Sequence, residues 1–141
     1  MQTLLEKLNF KGQKRIAVIN AEKNFKLAPA SEIKDVQLDS EIDPRYPYDF
    51  MIIFVKTVSE VEVYAPMVLH NLAVDGILWF CYPKQASGKF TSEVDRDHGW
   101  KVLNDDDFFG IRLVSIDDDW SALRFRNRKF IKSVSKRFEK R

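Results

Sequence analysis

Asp49-Phe50-Met51-Ile52-Ile53-Phe54-Val55, then Ser59 to Val74, then Gly76-Ile77-Leu78-Trp79-Phe80-Cys81-Tyr82 decide the fold. The outer two stretches are apolar runs rich in β-branched and aromatic residues, the pattern of strands buried on both faces. Between them Val61, Tyr64, Ala65, Val68, Leu69 and Leu72 recur near helical spacing, and Asp75-Gly76 closes the segment. Pro66 interrupts that pattern, which predicts a kink or a restarted helix there. Strand, helix and strand in this order make a crossover unit, with parallel strands and a right-handed connection.

Working outward, Arg15-Ile16-Ala17-Val18-Ile19-Asn20 follows a Lys-Gly-Gln-Lys turn and predicts a first buried strand, and Lys34 to Leu38 alternates as a weaker second one. Ser92 to Asp107 predicts a further helix, opened by a Ser-x-x-Asp capping box at Ser92-Glu93-Val94-Asp95. Ile111 to Ile116 and Trp120 to Arg126, separated by Asp117-Asp118-Asp119, predict an antiparallel hairpin. The sum is βαβ, βαβ, α and a hairpin, a three-layer Rossmann-like α/β domain with a mostly parallel sheet. The closing hairpin is similar to the ending of class I methyltransferase-like folds. That similarity implies a reduced version of such a fold, with strand order 2-1-3-4-6-5 and strand 6 antiparallel.

Residues 1–126 are expected to form this single domain. Beyond them, residues 127–141 form a basic extension in which Phe130, Ile131, Val134 and Phe138 give an amphipathic helical pattern. The net charge of +2 hides an asymmetry. From Arg124 to Arg141 there are nine Lys or Arg against one Glu, a net +8, which leaves 14 basic and 20 acidic residues, a net −6, for the rest. Opposed ends of this kind suit an acidic or nucleic-acid partner for the tail, or a self-complementary surface.

The 141 residues, 45% hydrophobic and 31% charged, fit one domain and are far from a disordered composition. A lone cysteine, Cys81, cannot bridge within the chain and sits in an apolar run, which favours a reducing cytoplasm. Met1 to Leu8 carries no apolar signal core, and no apolar run approaches a membrane-spanning length of about 18 residues. A cytoplasmic location and no membrane span are therefore expected.

In open α/β sheets ligands lie beyond the carboxyl ends of the strands, where strand order reverses. The rim of that crevice is expected from Asn20 to Asn24, Asp39, Lys56 to Ser59 and Pro83 to Thr91. A methyl donor or dinucleotide favours glycine directly after the first strand, because a bare backbone admits close approach. This chain has Asn20-Ala21-Glu22-Lys23-Asn24 there, which counts against a standard Rossmann cofactor. Lys84, Ser87, Gly88 and Lys89 offer two ammonium groups, a hydroxyl and a flexible turn ahead of the expected helix, an arrangement suited to an anion. It is not a Walker loop, since Pro83 and Phe90 stand where glycine and a hydroxyl residue would be needed.

His98 behind Asp95-Arg96-Asp97 invites a general-base role, but no Ser or Cys nucleophile stands at a matching spacing. Two histidines and one cysteine, widely separated, match no zinc pattern, and neither triple-Asp run follows a calcium loop, so no metal is expected. Arg124 on a covered sheet face needs an acid, and Asp117 or Asp118 across the hairpin is the expected partner. With Trp120 they would form a structural cluster.

Tyr82-Pro83-Lys84 with Ser87-Gly88, Asp95-Arg96 with Trp100, and Ile116-Asp117-Asp118 with Trp120-Ser121-Ala122-Leu123-Arg124-Phe125 resemble an uncharacterised bacterial family, a domain of unknown function with a methyltransferase-like Rossmann core. The resemblance runs from about Leu5 to Arg126 and implies a small cytoplasmic bacterial protein without an assigned activity or cofactor. Three functions remain open. The first is a domain binding an anionic small molecule or nucleotide through Lys84, Ser87, Gly88 and Lys89, supported by Asp95 and Arg96, with Asn20 and Asp39 on the rim. The second is a reduced S-adenosylmethionine-dependent methyltransferase-like enzyme with Asp39 on the donor's ribose. The third is an interaction protein that binds nucleic acid or an acidic protein through its basic tail.

Overall fold

The structure is a computed structural model, described over residues 3–131. Its strands are β1 (Arg15–Ile19), β2 (Gln37–Asp39), β3 (Tyr48–Phe54), β4 (Leu72–Pro83), β5 (Phe108–Ser115) and β6 (Trp120–Asn127). They form one sheet in the order β2-β1-β3-β4-β6-β5. The pairs β2–β1, β1–β3 and β3–β4 are parallel, whereas β6 runs antiparallel to both β4 and β5. This is the expected reduced methyltransferase-like topology.

Alternation along β4 divides the interior into two cores. Leu78, Phe80 and Tyr82 point to the face covered by helix α2 (Val58–Asn71), together with Trp100 and Leu103. Ile77, Trp79 and Cys81 point to the other face, packed with Leu5 and Leu8 from the N-terminal helix α1 (Leu4–Lys7) and with Leu27. Trp79 is fully buried and its indole N–H donates to the Leu8 carbonyl at 2.9 Å, so the largest core side chain also fixes the chain entry.

Several local expectations are corrected. The segment 92–107 is helical only over α3 (Lys101–Asp105). Ser92 spends its hydroxyl on a local turn, donating to the Val94 carbonyl and accepting from the Val94 amide. Asp95 and His98 then pair as an isolated bridge, and Gly99 takes φ +101°, a left-handed conformation that no helix continues through. No α-helix joins β1 to β2; that connection holds one 3-10 turn, Ala30–Glu32, and Leu27, Phe25, Ile33 and Val36 cover the sheet in place of a helix. β2 is only three residues long.

Helix α2 is continuous across Pro66 and ends at Asn71, so Leu72 to Asp75 belong to the following strand. Pro66 and Glu62 are both exposed, so water can solvate the Glu62 carbonyl that loses its N–H partner. Of the basic extension, the structure describes the turn Arg128–Phe130 and Ile131; the expected helix beyond it lies outside the described residues.

Three carboxylates are held in ion pairs around the sheet, Asp39 at the end of β2, Asp43 beyond it and Asp75 near the start of β4. Burial alone would raise the Asp39 carboxyl, but hydrogen bonds from Tyr48 (2.5 Å), Arg15 (2.6 Å) and Gln37 (3.0 Å) outweigh it and hold it below the usual range. Arg126 grips Asp75 with two bonds of 2.8 and 2.7 Å and lowers its carboxyl likewise, while Arg45 draws Asp43 down to about 2. Carboxyls depressed in the folded state contribute stability above their unfolded pKa of about 3.9, and lose it as pH falls through the folded value. Urea midpoints are therefore expected to hold steady above about pH 5 and to drop from about pH 4 towards pH 2. In Asp75→Asn the drop should be shallower; an unchanged pH profile in that variant would contradict the role given to this pair.

Candidate functional site

Four rings form a continuous wall at the carboxyl edge of the sheet. Phe54 closes β3, and its ring meets Phe25 at 4.8 Å and Trp120 at 5.0 Å, both edge-to-face; Phe90 then lies 5.4 Å from Trp120. Each ring comes from a different place: the segment after β1, the end of β3, the loop after β4 and the start of β6. They line a cavity of about 450 Å³, within the size of small-molecule sites.

Charged groups of both signs ring its mouth. Lys23, Lys89, Glu22, Asp117 and Asp119 line it. Lys56 reaches over from the end of β3, its ammonium 4.7 Å from the Phe90 centroid and 6.0 Å from that of Trp120, and 2.7 Å from the Glu22 carboxylate. A cation over aromatic faces is attracted by the ring quadrupole, so Lys56 is held by Glu22 and the ring wall together.

The chain's own carboxylates take the positions where an anion was expected. Ser87 donates to Asp119 Oδ1 at 2.8 Å, and Lys89 lies 3.9 Å from Asp119 Oδ2. Lys84 donates to the Ser115 hydroxyl at 2.6 Å, and its amide donates to the Asp119 carbonyl. Gly88 sits in open space. No helix follows the loop directly, since α3 begins only at Lys101, and the helix-terminus contribution to anion binding is thereby lost. Asp95 and Arg96 do not brace this loop through the bonds they make: Asp95 accepts from the Asp97 amide and contacts His98 Nδ1 at 2.8 Å, while Arg96 forks onto Asp97.

At the end of β1, Asn20 adopts φ 61° and its amide N–H2 donates to the Phe54 carbonyl (2.9 Å) and to Glu60 (2.8 Å). Glu60 also completes a capping box with Thr57 at the start of α2, and Glu93 accepts from the Val58 amide. The α2 terminus is thus capped by carboxylates of the chain itself. Tyr82 lies beneath the neighbouring loop, where burial pushes its hydroxyl up to about 12.

The expected Arg124 pair is not formed. Asp117 Oδ1 accepts the Asp119 and Trp120 amides, each at 2.8 Å, and so caps the hairpin turn instead; Asp118 is exposed. Arg124 Nε is buried without a partner among the described residues. Of the residues expected to bind a ligand, only Lys89 lines the cavity directly; Asp117 and Trp120, expected as part of a structural cluster, line it too. Glu22, Lys23, Asn24, Lys56 and Phe90 fall within the rim stretches expected from strand order, but Phe25 and Phe54 were legible only as apolar residues. The approach of the hairpin turn to β3 is long-range and leaves no local signal.

The chain has a methyltransferase-like Rossmann fold. It resembles solved structures of such proteins at low identity. The N-methyltransferase NodS of Bradyrhizobium japonicum, in complex with S-adenosyl-l-homocysteine, superposes with a TM-score of 0.58 at 14% identity, over 90% of this chain and 84% of that one. The ribosomal protein L11 methylase of Lactobacillus delbrueckii subsp. bulgaricus gives 0.52 at 13% identity, over 89% and 75%. A protein of the NADB-Rossmann superfamily from Streptococcus agalactiae gives 0.50 at 10%, over 90% and 68%. No protein-family model and no curated protein sequence matches the chain. Among the described residues no helix is long and apolar enough to cross a membrane, and no three His, Cys, Asp or Glu gather as metal ligands.

The residues at the crevice do not fit a methyl donor held in the usual Rossmann manner. Asn20, where glycine would admit the donor, ties the end of β1 to β3 and α2. Asp39, the acid for a ribose, has only 9% of its side chain exposed and is taken by Arg15, Tyr48 and Gln37.

Proposed function

We propose that the protein is a small-molecule-binding domain, whose ligand places a flat heteroaromatic ring in the aromatic cavity and an anionic group at the rim, as a nucleotide does. The observation that carries this reading is the four-ring wall of Phe25, Phe54, Trp120 and Phe90 beside the rim ammonium groups of Lys23 and Lys89. A planar ring would stack on the half-buried Phe25 and Phe90, with the buried Phe54 and Trp120 as support behind them, and phosphate or carboxylate would compete with Asp119 for Lys89 and Ser87. Binding then exchanges an internal ion pair for one with the ligand, so modest affinity is the expectation.

A thermal-shift panel of nucleosides, nucleotides and phosphorylated metabolites tests it. A ligand at about 100 times its Kd adds about 2.7 kcal/mol to stability, an easily resolved rise in melting temperature. Lys23→Ala combined with Lys89→Ala should remove the shift for the nucleotide and spare that for the nucleoside. No shift with any member of the panel, or equal shifts in the double variant, would count against the reading.

The methyltransferase reading is favoured by fold alone, through the likeness to NodS and the L11 methylase. S-adenosylhomocysteine belongs in the same panel for that reason. The Asn20 and Asp39 geometry predicts no response to it at millimolar concentration, and a clear response would restore the enzyme reading.

A further inference from the structure

Away from the crevice, the sheet face that carries Trp79 ends in a cluster of guanidinium groups. Arg124 and Arg126 are two apart on β6 and therefore share one face. Arg112 is the cross-strand partner of Arg124, so it joins them on that face. The register shift between Gly110 and Arg112 makes this so: Ile111 is the extra residue, and without it Arg112 would turn to the opposite side. Arg128, just beyond β6, stacks 5.6 Å over Phe109, the partner of Arg126.

Among the ion pairs of the described residues this cluster has one acid, Asp75, while the Asp107 carbonyl just before β5 accepts the Arg128 amide at 2.8 Å. Asp75 is held by both bonds from Arg126, which leaves Arg112, Arg124 and Arg128 without a carboxylate among the ion pairs of the described residues. Arg124 Nε is buried with no acceptor among the described residues. Burial first, and then the like charges of Arg126 and Arg112 against the smaller opposing pull of Asp75, lower its affinity for a proton, so an incoming anion would relieve unmet charge. Arg112 and Arg128 are exposed. From Arg128 the sequence continues basic to Arg141, with seven Lys or Arg against one Glu.

We propose that this arginine face binds the phosphate backbone of a nucleic acid. Guanidinium forks match phosphate oxygens in a bidentate manner and do so repeatedly along a backbone. An acidic protein fits less well, because the cluster has one exposed apolar neighbour, Val74 beside Asp75, whereas Leu113 alternates to the opposite sheet face, Val63 and Met67 are on α2, and Leu38 and Tyr46 lie towards the β2 edge. The surface reads charge and spacing and carries no recognised base-reading motif, so binding is expected to be indifferent to sequence.

The test uses the full chain with fluorescently labelled single- and double-stranded oligonucleotides across a salt series. Contacts from Arg112, Arg124 and Arg128 alone give a log-log salt slope of about −2.7 on duplex and about −2.1 on single strands, steeper if residues beyond 131 add contacts. Arg112→Ala should lower the magnitude of the slope by about 0.9, and Arg112→Ala with Arg128→Ala by about twice that. Arg112→Ala should melt as the parent does, whereas Arg128→Ala also uncovers Phe109, so the double variant is compared well below its own melting temperature. Lys11→Ala, which removes an exposed charge on another part of the chain, should leave the slope unchanged. Absence of binding at low salt overturns the proposal. So does an equal loss from Lys11→Ala and Arg112→Ala, or capture of an acidic peptide with no binding of either oligonucleotide.

Discussion

Trp120→Ala is expected to lower stability by about 3 to 5 kcal/mol and to remove ligand binding at the same time. The indole is only 5% exposed and joins Phe54 and Phe90 in the cavity wall, so its loss opens a void in the second core and interrupts the row of rings. For a domain of this size the melting temperature should fall by roughly 10 °C or more. Trp120→Phe keeps an aromatic face and should retain most of the stability and part of the binding. The decisive measurement pairs thermal melts of both variants with nucleotide binding well below the melting point. A Trp120→Ala protein that is folded and still binds with parental affinity would show that the ligand lies elsewhere.

The strand-helix-strand unit was legible because Asp49 to Val55 and Gly76 to Tyr82 are buried on both faces and leave one solution, parallel neighbours under a crossover helix. The hairpin was legible for a similar reason, since Asp117 to Asp119 separate two alternating runs. Local chemistry misled where tertiary contacts competed with it. Lys84, Ser87, Gly88 and Lys89 look like an anion loop in isolation, yet Asp119, which follows some thirty residues later, folds back onto them. Arg124 looks as though it needs Asp117, yet the Asp117 carboxylate is committed to two amides of its own turn. In both cases an acid chose between partners at different sequence distances, a choice that single-residue propensities do not encode.

The same competition explains how a methyltransferase-like core departs from a donor site. A donor requires open backbone after β1 and an uncommitted acid after β2. This chain fills the first place with Asn20 and commits the second, Asp39, to holding Arg15 and Tyr48 at the sheet edge. What remains open lies one strand further along, between β3 and the hairpin turn, where the walls are aromatic. Fold and site thus carry different information: strand order places a crevice, and the side chains at its rim decide what can enter it.

The segment 92–107 gives the last test, because it looks helical throughout in sequence and is helical only over α3. Gly99 sits at φ +101°, and a Cβ there would lie 2.4 Å from Val94 Cγ1, in the core beside Trp100. Gly99→Ala therefore meets two costs, a strained backbone of about 1 to 3 kcal/mol and an overpacked contact of similar size. The expected loss is about 2 to 5 kcal/mol, with Trp100 displaced from its 2.7 Å bond to the Asp95 carbonyl and the near-ultraviolet circular dichroism altered. Two other glycines separate the costs. Gly12 has φ +84° with nothing within 4 Å of a Cβ, so Gly12→Ala should show the strain alone. Gly88 has neither left-handed backbone nor close neighbours, so Gly88→Ala should change stability by less than about 0.5 kcal/mol. If Gly99→Ala proves no worse than Gly12→Ala, Val94 yields to the new methyl group and the turn is softer than its packing implies. If it proves as mild as Gly88→Ala, the left-handed turn at Gly99 is wrong and the helical reading of the segment returns.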